Sequence, residues 1–191
     1  VLRPRLAEGA RVLEIASGAG EHAVFIASAL PTVLWRPTDG DPESLASIRS
    51  WRDAAALANL LEPMVLDAAD QSTWPTEPVD AIVCINMVHI SPWAATEGLM
   101  IGAGRLLAPG GLLYLYGPYR EAGVPTAPSN EAFDASLTAR NPAWGLRDLE
   151  TVAALAEANG LDYSERIAMP ANNLSVLFRR RQDGNPKGAG L

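Results

Sequence analysis

Glu14, Asp39, Asp67 and Asn86 each sit in or just beyond a short apolar run, and a Ser17-Gly18-Ala19-Gly20 turn directly follows the first of these runs. Glycines after a strand let the chain turn tightly and bring backbone N–H groups close to a ligand at the start of a helix. Asp39 stands nineteen positions beyond Gly20, the spacing at which an acidic side chain accepts hydrogen bonds from both hydroxyls of a ribose. Asp67 is then placed to face an adenine amino group. Taken alone, Asp39 fits ribose binding and helix capping equally well, and a glycine turn after a strand is common. An ordered set of acids on successive strand ends is more specific than any one of them. Together they describe a grip on an adenosine-containing ligand.

The elements that must position these residues follow from hydrophobic periodicity. Val12-Leu13-Glu14-Ile15 is a first strand; Ala23, Ile26, Ala27 and Leu30 form the apolar stripe of a helix that Pro31 stops. Thr32-Val33-Leu34-Trp35 is a second strand, running into Pro37-Thr38-Asp39. Asp41-Pro42 opens a helix as N-cap and first helical residue, with Leu45, Ile48, Trp51 and Ala55 as its buried stripe. Met64–Asp67 is a short third strand, and Val79–Ile85 a fourth, apolar throughout as a covered parallel strand should be. Ser91-Pro92 starts a further helix by the same cap-and-proline pattern. Gly98, Gly102 and Gly104 inside it point to close backbone packing. Pro109-Gly110-Gly111 turns into a fifth strand, Leu112–Tyr116; Leu149, Val152, Ala153 and Ala156 mark a last helix. Two closing strands lie near Leu161–Ala168 and Leu174–Arg180.

Alternating strands and helices imply an α/β fold: a Rossmann-like, seven-stranded, mostly parallel sheet with helices on both faces. The two final strands, with no helix between them, make a C-terminal antiparallel hairpin. One domain is expected over residues 1–181, with a disordered tail over 182–191 rich in Gly and polar residues. Val1 stands in place of an initiator Met, so a natural N-terminus lying before Val1 is an expectation.

Composition narrows the partners. The net charge of −7 argues against a nucleic-acid groove, which draws on clustered Lys and Arg; Arg179-Arg180-Arg181 reads as a solvated strand end. Cys84 is the single cysteine and lies inside an apolar run, so it is a core thiol rather than a nucleophile, and a reducing, cytoplasmic setting fits. No stretch is long enough for a membrane span. No metal site is evident. The oligomeric state is not readable.

Two cofactors fit the strand-end residues. Gly18-x-Gly20-x-x-Ala23 satisfies the dinucleotide fingerprint, which keeps an NAD(P)-dependent oxidoreductase open. Glu14 near the end of the first strand and the terminal hairpin favour S-adenosylmethionine instead. Val12-Leu13-Glu14-Ile15-Ala16-Ser17-Gly18-Ala19-Gly20-Glu21-His22 resembles motif I of class I S-adenosylmethionine-dependent methyltransferases. More narrowly, the chain is similar to a family of methyltransferase-like proteins of unassigned function. That resemblance rests on Ile85-Asn86-Met87-Val88-His89-Ile90-Ser91-Pro92-Trp93, Tyr116-Gly117-Pro118-Tyr119-Arg120, Ser129-Asn130-Glu131-Ala132-Phe133-Asp134 and Met169-Pro170-Ala171-Asn172-Asn173-Leu174. The blocks run over nearly the whole chain.

The resemblance implies that Glu14, Gly18, Asp39, Asp67 and Asn86 occupy cofactor positions; Ala16, Ser17, Gly20 and His22 complete the expected set. It supplies no substrate. Ala16 stands where the general class I loop has its first glycine, and the family carries a segment before the first strand that closes over the cofactor in many class I enzymes. On the acceptor side the candidates are His89, Tyr119, Asn130 and Asp134. His89, just beyond the fourth strand, either takes a proton from the acceptor near neutral pH or packs behind the next helix and bonds a loop carbonyl. His22 either touches the cofactor's methionine end or is a surface residue. The long stretch from Tyr116 to Asp148 reads as a loop that would cover a small-molecule acceptor, with Arg120, Arg147 and Asp148 as further polar groups. The expected activity is methyl transfer to a small molecule; a non-catalytic S-adenosylmethionine-binding module is the remaining alternative.

Overall fold

A computed structural model describes residues 1–182; all of the expected tail but Gln182 lies outside the described residues. Seven strands form one sheet: β1 (Arg11–Ile15), β2 (Leu34–Asp39), β3 (Met64–Val65), β4 (Val79–Ile85), β5 (Leu107–Gly117), β6 (Leu161–Met169) and β7 (Asn173–Arg180). Their spatial order is β3-β2-β1-β4-β5-β7-β6. β1 to β5 run parallel, and β7 lies antiparallel between β5 and β6. This is the expected sheet with its terminal hairpin, and the antiparallel β7 departs from the six-stranded dinucleotide fold. The strand order reverses between β1 and β4, so a crevice for a ligand opens beyond their carboxyl ends.

Side-chain alternation assigns the helices to faces. Leu13, Ile15, Ile82, Cys84, Leu113 and Leu115 pack with α3 (Trp93–Leu106) and α5 (Leu149–Ala158) on one side. Val12, Ala81, Val83, Leu112 and Leu177 pack with Ala23, Ala27 and Leu30 of the α1 region (Glu21–Ala29) on the other. Cys84 is buried, and burial pushes its thiol up to about 12, as an inert core thiol requires. Asp41 caps α2 (Pro42–Ala55) as expected, accepting the N–H groups of Glu43 and Ser44 at 3.2 Å.

Several local expectations are corrected. β2 begins at Leu34, and β3 holds two residues, so Asp67 stands beyond it rather than within it. Trp51 does not join the buried stripe of α2; it is 43 % exposed. Ser91 does not cap α3. Pro92 takes the cap position, and the Ser91 hydroxyl donates instead to the Met87 carbonyl at 2.6 Å. Pro109-Gly110-Gly111 lies inside β5, where the pairing with β4 shifts register between Val79 and Ala81. The segment from Tyr116 to Asp148 is not a loop, because it contains α4 (Pro128–Arg140). The Arg179-Arg180-Arg181 run is tied down rather than simply solvated, with Arg179 and Arg180 donating to the carbonyls of Gly110 and Gly104 and Arg181 paired with Asp162.

Candidate active site

The loop after β1 is built by backbone conformation. Ala16, Gly18 and Gly20 all adopt positive φ, at 55°, 57° and 96°. Ala16 therefore takes a conformation that glycine adopts freely and other residues adopt at a cost of about 1–2 kcal/mol. A side chain at Gly20 would lie 2.9 Å from the Ile48 α-carbon, so the glycine lets α2 approach the loop. At Gly18 a side chain would meet nothing within 4 Å, which leaves that stretch of backbone open. Asp39, at the tip of β2, holds the loop in place. Its carboxylate accepts the Gly18 N–H at 2.9 Å and the Asp41 N–H at 3.0 Å. Ser17 is buried and its hydroxyl accepts the Thr38 N–H.

Ala16, Gly40, Leu66, Asp67 and Met87 border a single cleft of about 320 Å³ on the α3 side of the strand tips. Asp67 is exposed there, its carboxylate accepting only the Ala69 N–H among the described residues. Asn86 follows β4 with φ 63°, a left-handed position that Asn tolerates, and its N–H donates to the Tyr116 carbonyl. Of the expected cofactor residues, Ala16 and Asp67 line this cleft and Asp39 braces the loop beside it, while His22 lines a separate cavity.

Glu14 is the exception. It is 2 % exposed and lies beneath the loop, accepting the Trp35 indole N–H at 2.9 Å. Burial raises its carboxyl above the ordinary carboxylate range, against the lowering effect of Trp35 and Ser17. A raised folded-state value means that Glu14 favours the folded state at low pH and loses this contribution as pH climbs through that value. Glu14→Gln keeps an acceptor for Trp35 and cannot titrate. Urea unfolding between pH 4 and 7 should show the wild type losing stability relative to this variant as pH rises; parallel curves would remove the buried-carboxyl account. Trp35 itself escaped the sequence reading, since nothing in spacing links it to Glu14.

On the acceptor side the predicted residues separate. His89 is fully buried, its ring edge-on to Tyr119 with centroids 4.8 Å apart, and neither ring nitrogen has a partner among the described residues. Burial, with the Arg147 charge adding to it, pushes the imidazole down to about 3. Sealed from solvent and with so low an affinity for a proton, His89 is a poor proton acceptor at neutral pH, against its expected role as base; nor does its side chain bond a loop carbonyl among the described residues. Tyr119 is buried, with its hydroxyl pushed up by desolvation and unpartnered among the described residues. Tyr119 and Asn130 share a cavity of about 220 Å³ beside the β6–β7 turn, where the Asn130 amide donates to the Asn172 carbonyl. Asp134 is not free to act. It pairs with Arg120 at 2.8 Å and accepts the Leu146 N–H at 2.6 Å, while Arg120 also holds Glu131. Arg147 is a clamp, donating to the carbonyls of Val88, Ser91 and Ala143 and lying over the Trp93 ring.

A family model described as a protein of unknown function (DUF938) matches residues 1–180. The chain belongs to this family. Among solved structures, the DUF938 chain is similar to the pyocyanin biosynthetic protein PhzM, at 18 % identity and TM-score 0.77 over 94 % of this chain and 53 % of that one. It is similar to an O-methyltransferase family protein from Burkholderia thailandensis, at 16 % identity and TM-score 0.80 over 91 % and 52 %. The YcgJ protein from Bacillus subtilis aligns at 17 % identity and TM-score 0.73, over 93 % and 94 %. The chain spans about half the length of the first two. At these identities the likeness establishes a shared fold.

Proposed function

We propose that this chain is an S-adenosylmethionine-dependent methyltransferase acting on a small molecule. The observation that carries the reading is the single cleft at the β1–β4 tips, bordered by Ala16, Gly40, Asp67 and Met87, beside a glycine loop that Asp39 holds. The residues present fit the cofactor: Asp39 would accept from the ribose hydroxyls, Asp67 from the adenine amine, and Ile15, Leu66 and Met87 would supply apolar contacts for the base. S-adenosylmethionine, when bound, supplies an electrophilic methyl carbon. The chain's part is to orient it, exclude water and position an acceptor, since alignment is the main requirement of an in-line displacement. The O-methyltransferase name of the Burkholderia structure supports the same class of chemistry for this chain.

Calorimetry with S-adenosylhomocysteine and with NAD tests the cofactor. Saturable binding of the first and none of the second is expected. Asp39→Ala should weaken the adenosyl ligand by about 1–3 kcal/mol, the loss of a charged hydrogen-bond acceptor. Unchanged affinity in that variant, or tighter binding of NAD, would remove the assignment. Labelled S-adenosylmethionine incubated with the protein and a metabolite extract separates an enzyme from a binding module, because only the enzyme leaves label on a product.

A further inference from the structure

α1 carries two apolar stripes where one would suffice to seat it on the sheet. Ala23 and Ala27 face the core. His22, Phe25, Ile26 and Ala29, spaced i, i+3, i+4 and i+7, form one wall of a separate cavity of about 400 Å³. The facing wall comes from strand ends: Ile85 of β4, Tyr116 of β5 and Met169 of β6. Its size lies within the range of about 300–1,000 Å³ that small-molecule sites occupy. Phe25 is 73 % exposed at this site, a large aromatic with no core to fill.

The cavity and the cofactor cleft share one strand tip. Ile85 ends β4 and borders the cavity, while Met87, two residues on, borders the cleft. His22 borders the cavity only, in the first turn of α1, two residues beyond Gly20 of the loop. The lining also has a clear chemical bias. Among the described residues no Asp or Glu borders the cavity; its polar side chains there are His22, Arg3 and two tyrosines. Of these, Arg3 already donates to the Ala29 carbonyl at 2.6 Å and Tyr114 is joined to Ser175 at 2.9 Å. A cationic ligand would be desolvated here without a counter-charge, which is costly. Flat aromatic faces find partners in Phe25 and Tyr116, and a hydroxyl finds an acceptor in the His22 imidazole.

We infer that this cavity binds a neutral, flat aromatic hydroxy compound, held by Phe25 and Tyr116 with its hydroxyl toward His22. That this compound is the methyl acceptor rests on the methyltransferase reading; the binding site itself does not. The acceptor then enters from the α1 side and reaches the cofactor at the shared β4 tip, and not beneath the Tyr116-to-Asp148 segment, where Arg120, Glu131 and Asp134 are already paired.

The test is calorimetry with 2-naphthol and with 2-naphthylmethylammonium, the same ring bearing a positive charge, on the whole chain. 2-Naphthol should bind saturably and about tenfold tighter than the ammonium compound. Ala29→Trp, on an exposed helix position, fills the cavity and should weaken 2-naphthol about tenfold or more while S-adenosylhomocysteine binds as before. Phe25→Ala provides a second, truncating variant, expected to weaken 2-naphthol several-fold, and thermal melts establish that both fold. Absence of saturable 2-naphthol binding overturns the inference, as does equal or tighter binding of the ammonium compound, or affinity untouched by both substitutions. Sedimentation adds another outcome: a dimer that Ala29→Trp dissociates would assign this face to a second copy and overturn the small-molecule site. If 2-naphthol binds as expected and S-adenosylhomocysteine does not, the cavity stands and the cofactor reading falls.

Discussion

Gly98→Ala should lower the unfolding free energy by about 2 kcal/mol, although the same change in an isolated helix would raise helix stability by about 1 kcal/mol. The reversal comes from what α3 touches. A β-carbon at Gly98 would stand 2.0 Å from the Ala68 carbonyl oxygen and 2.8 Å from the Ala69 α-carbon. Both obstacles are backbone, and the segment that carries them is pinned. The Gln71 amide donates to the Gly98 carbonyl at 2.8 Å, and the Trp74 indole reaches the Ala68 carbonyl at 3.3 Å. Neither side can turn a rotamer to make room, so the helix must move off as a unit. Overpacking a core costs about 1–3 kcal/mol, occasionally more, and the upper end applies where backbone is the obstacle. Gly102 and Gly104 answer the same need, at the Trp74 indole and the Asn159 carbonyl. Ala68 and Ala69 also border the cleft at the strand tips, so on the proposed methyltransferase reading the substitution should weaken S-adenosylhomocysteine as well as the fold. Ile101→Ala, on the exposed face of α3, is the control and should cost far less. Urea unfolding of the three proteins decides the matter; a Gly98→Ala protein as stable as wild type would mean that α3 does not pack against this segment as described.

The three glycines of α3 show what a sequence can and cannot disclose. Their presence in a helix signals close approach to something, because the propensity cost has to be offset, but the partners lie up to 55 residues away for Gly104 and Asn159. The sheet was legible for a related reason: each buried strand is a continuous apolar run, and the absence of a helix between β6 and β7 leaves an antiparallel hairpin as the short connection. α4 was not legible. Leu137 is its one buried apolar residue, and it is held by Arg120 bridging to Glu131 and Asp134 rather than by a wide apolar stripe. The strand-tip acids could be found because polarity at the end of an apolar run is conspicuous. The cavity wall on α1 could not, because Phe25 and Ile26 adjoin Ala23 and Ala27 and merge with the core stripe in any helical count. One cue was present: apolar side chains cover more of α1 than a single sheet-facing stripe requires.

His89 should make the fold acid-sensitive well above the pH at which it titrates. In the unfolded chain its imidazole takes a proton near the ordinary value of 6.5, while in the folded protein burial holds that value down to about 3. Between those limits the unfolded state binds the extra proton, so stability conferred by the neutral ring is complete above about pH 6.5 and falls steadily on acidification toward pH 3. From pH 7 to pH 5 the loss is about 2 kcal/mol. Glu14 works in the opposite sense as pH falls, since its carboxyl is raised by burial, so the two contributions must be separated by substitution. The burial of His89 is a product of fit: a side chain at Gly117 would lie 2.4 Å from Nε2, and the Tyr119 ring closes the far edge. Protonation would place a charge between these walls beside the Arg147 guanidinium, which itself lowers the imidazole further. Urea unfolding of wild type and His89→Leu at pH 7 and pH 5 should show the wild type losing about 2 kcal/mol more than the variant. Nitrogen chemical shifts of the wild-type ring should report a neutral imidazole down to pH 4. A ring that titrates near 6.5 in the folded protein would show that His89 is reached by solvent and would restore it as a proton acceptor; a neutral ring leaves His22, on the open side of the strand tips, as the imidazole available to an acceptor.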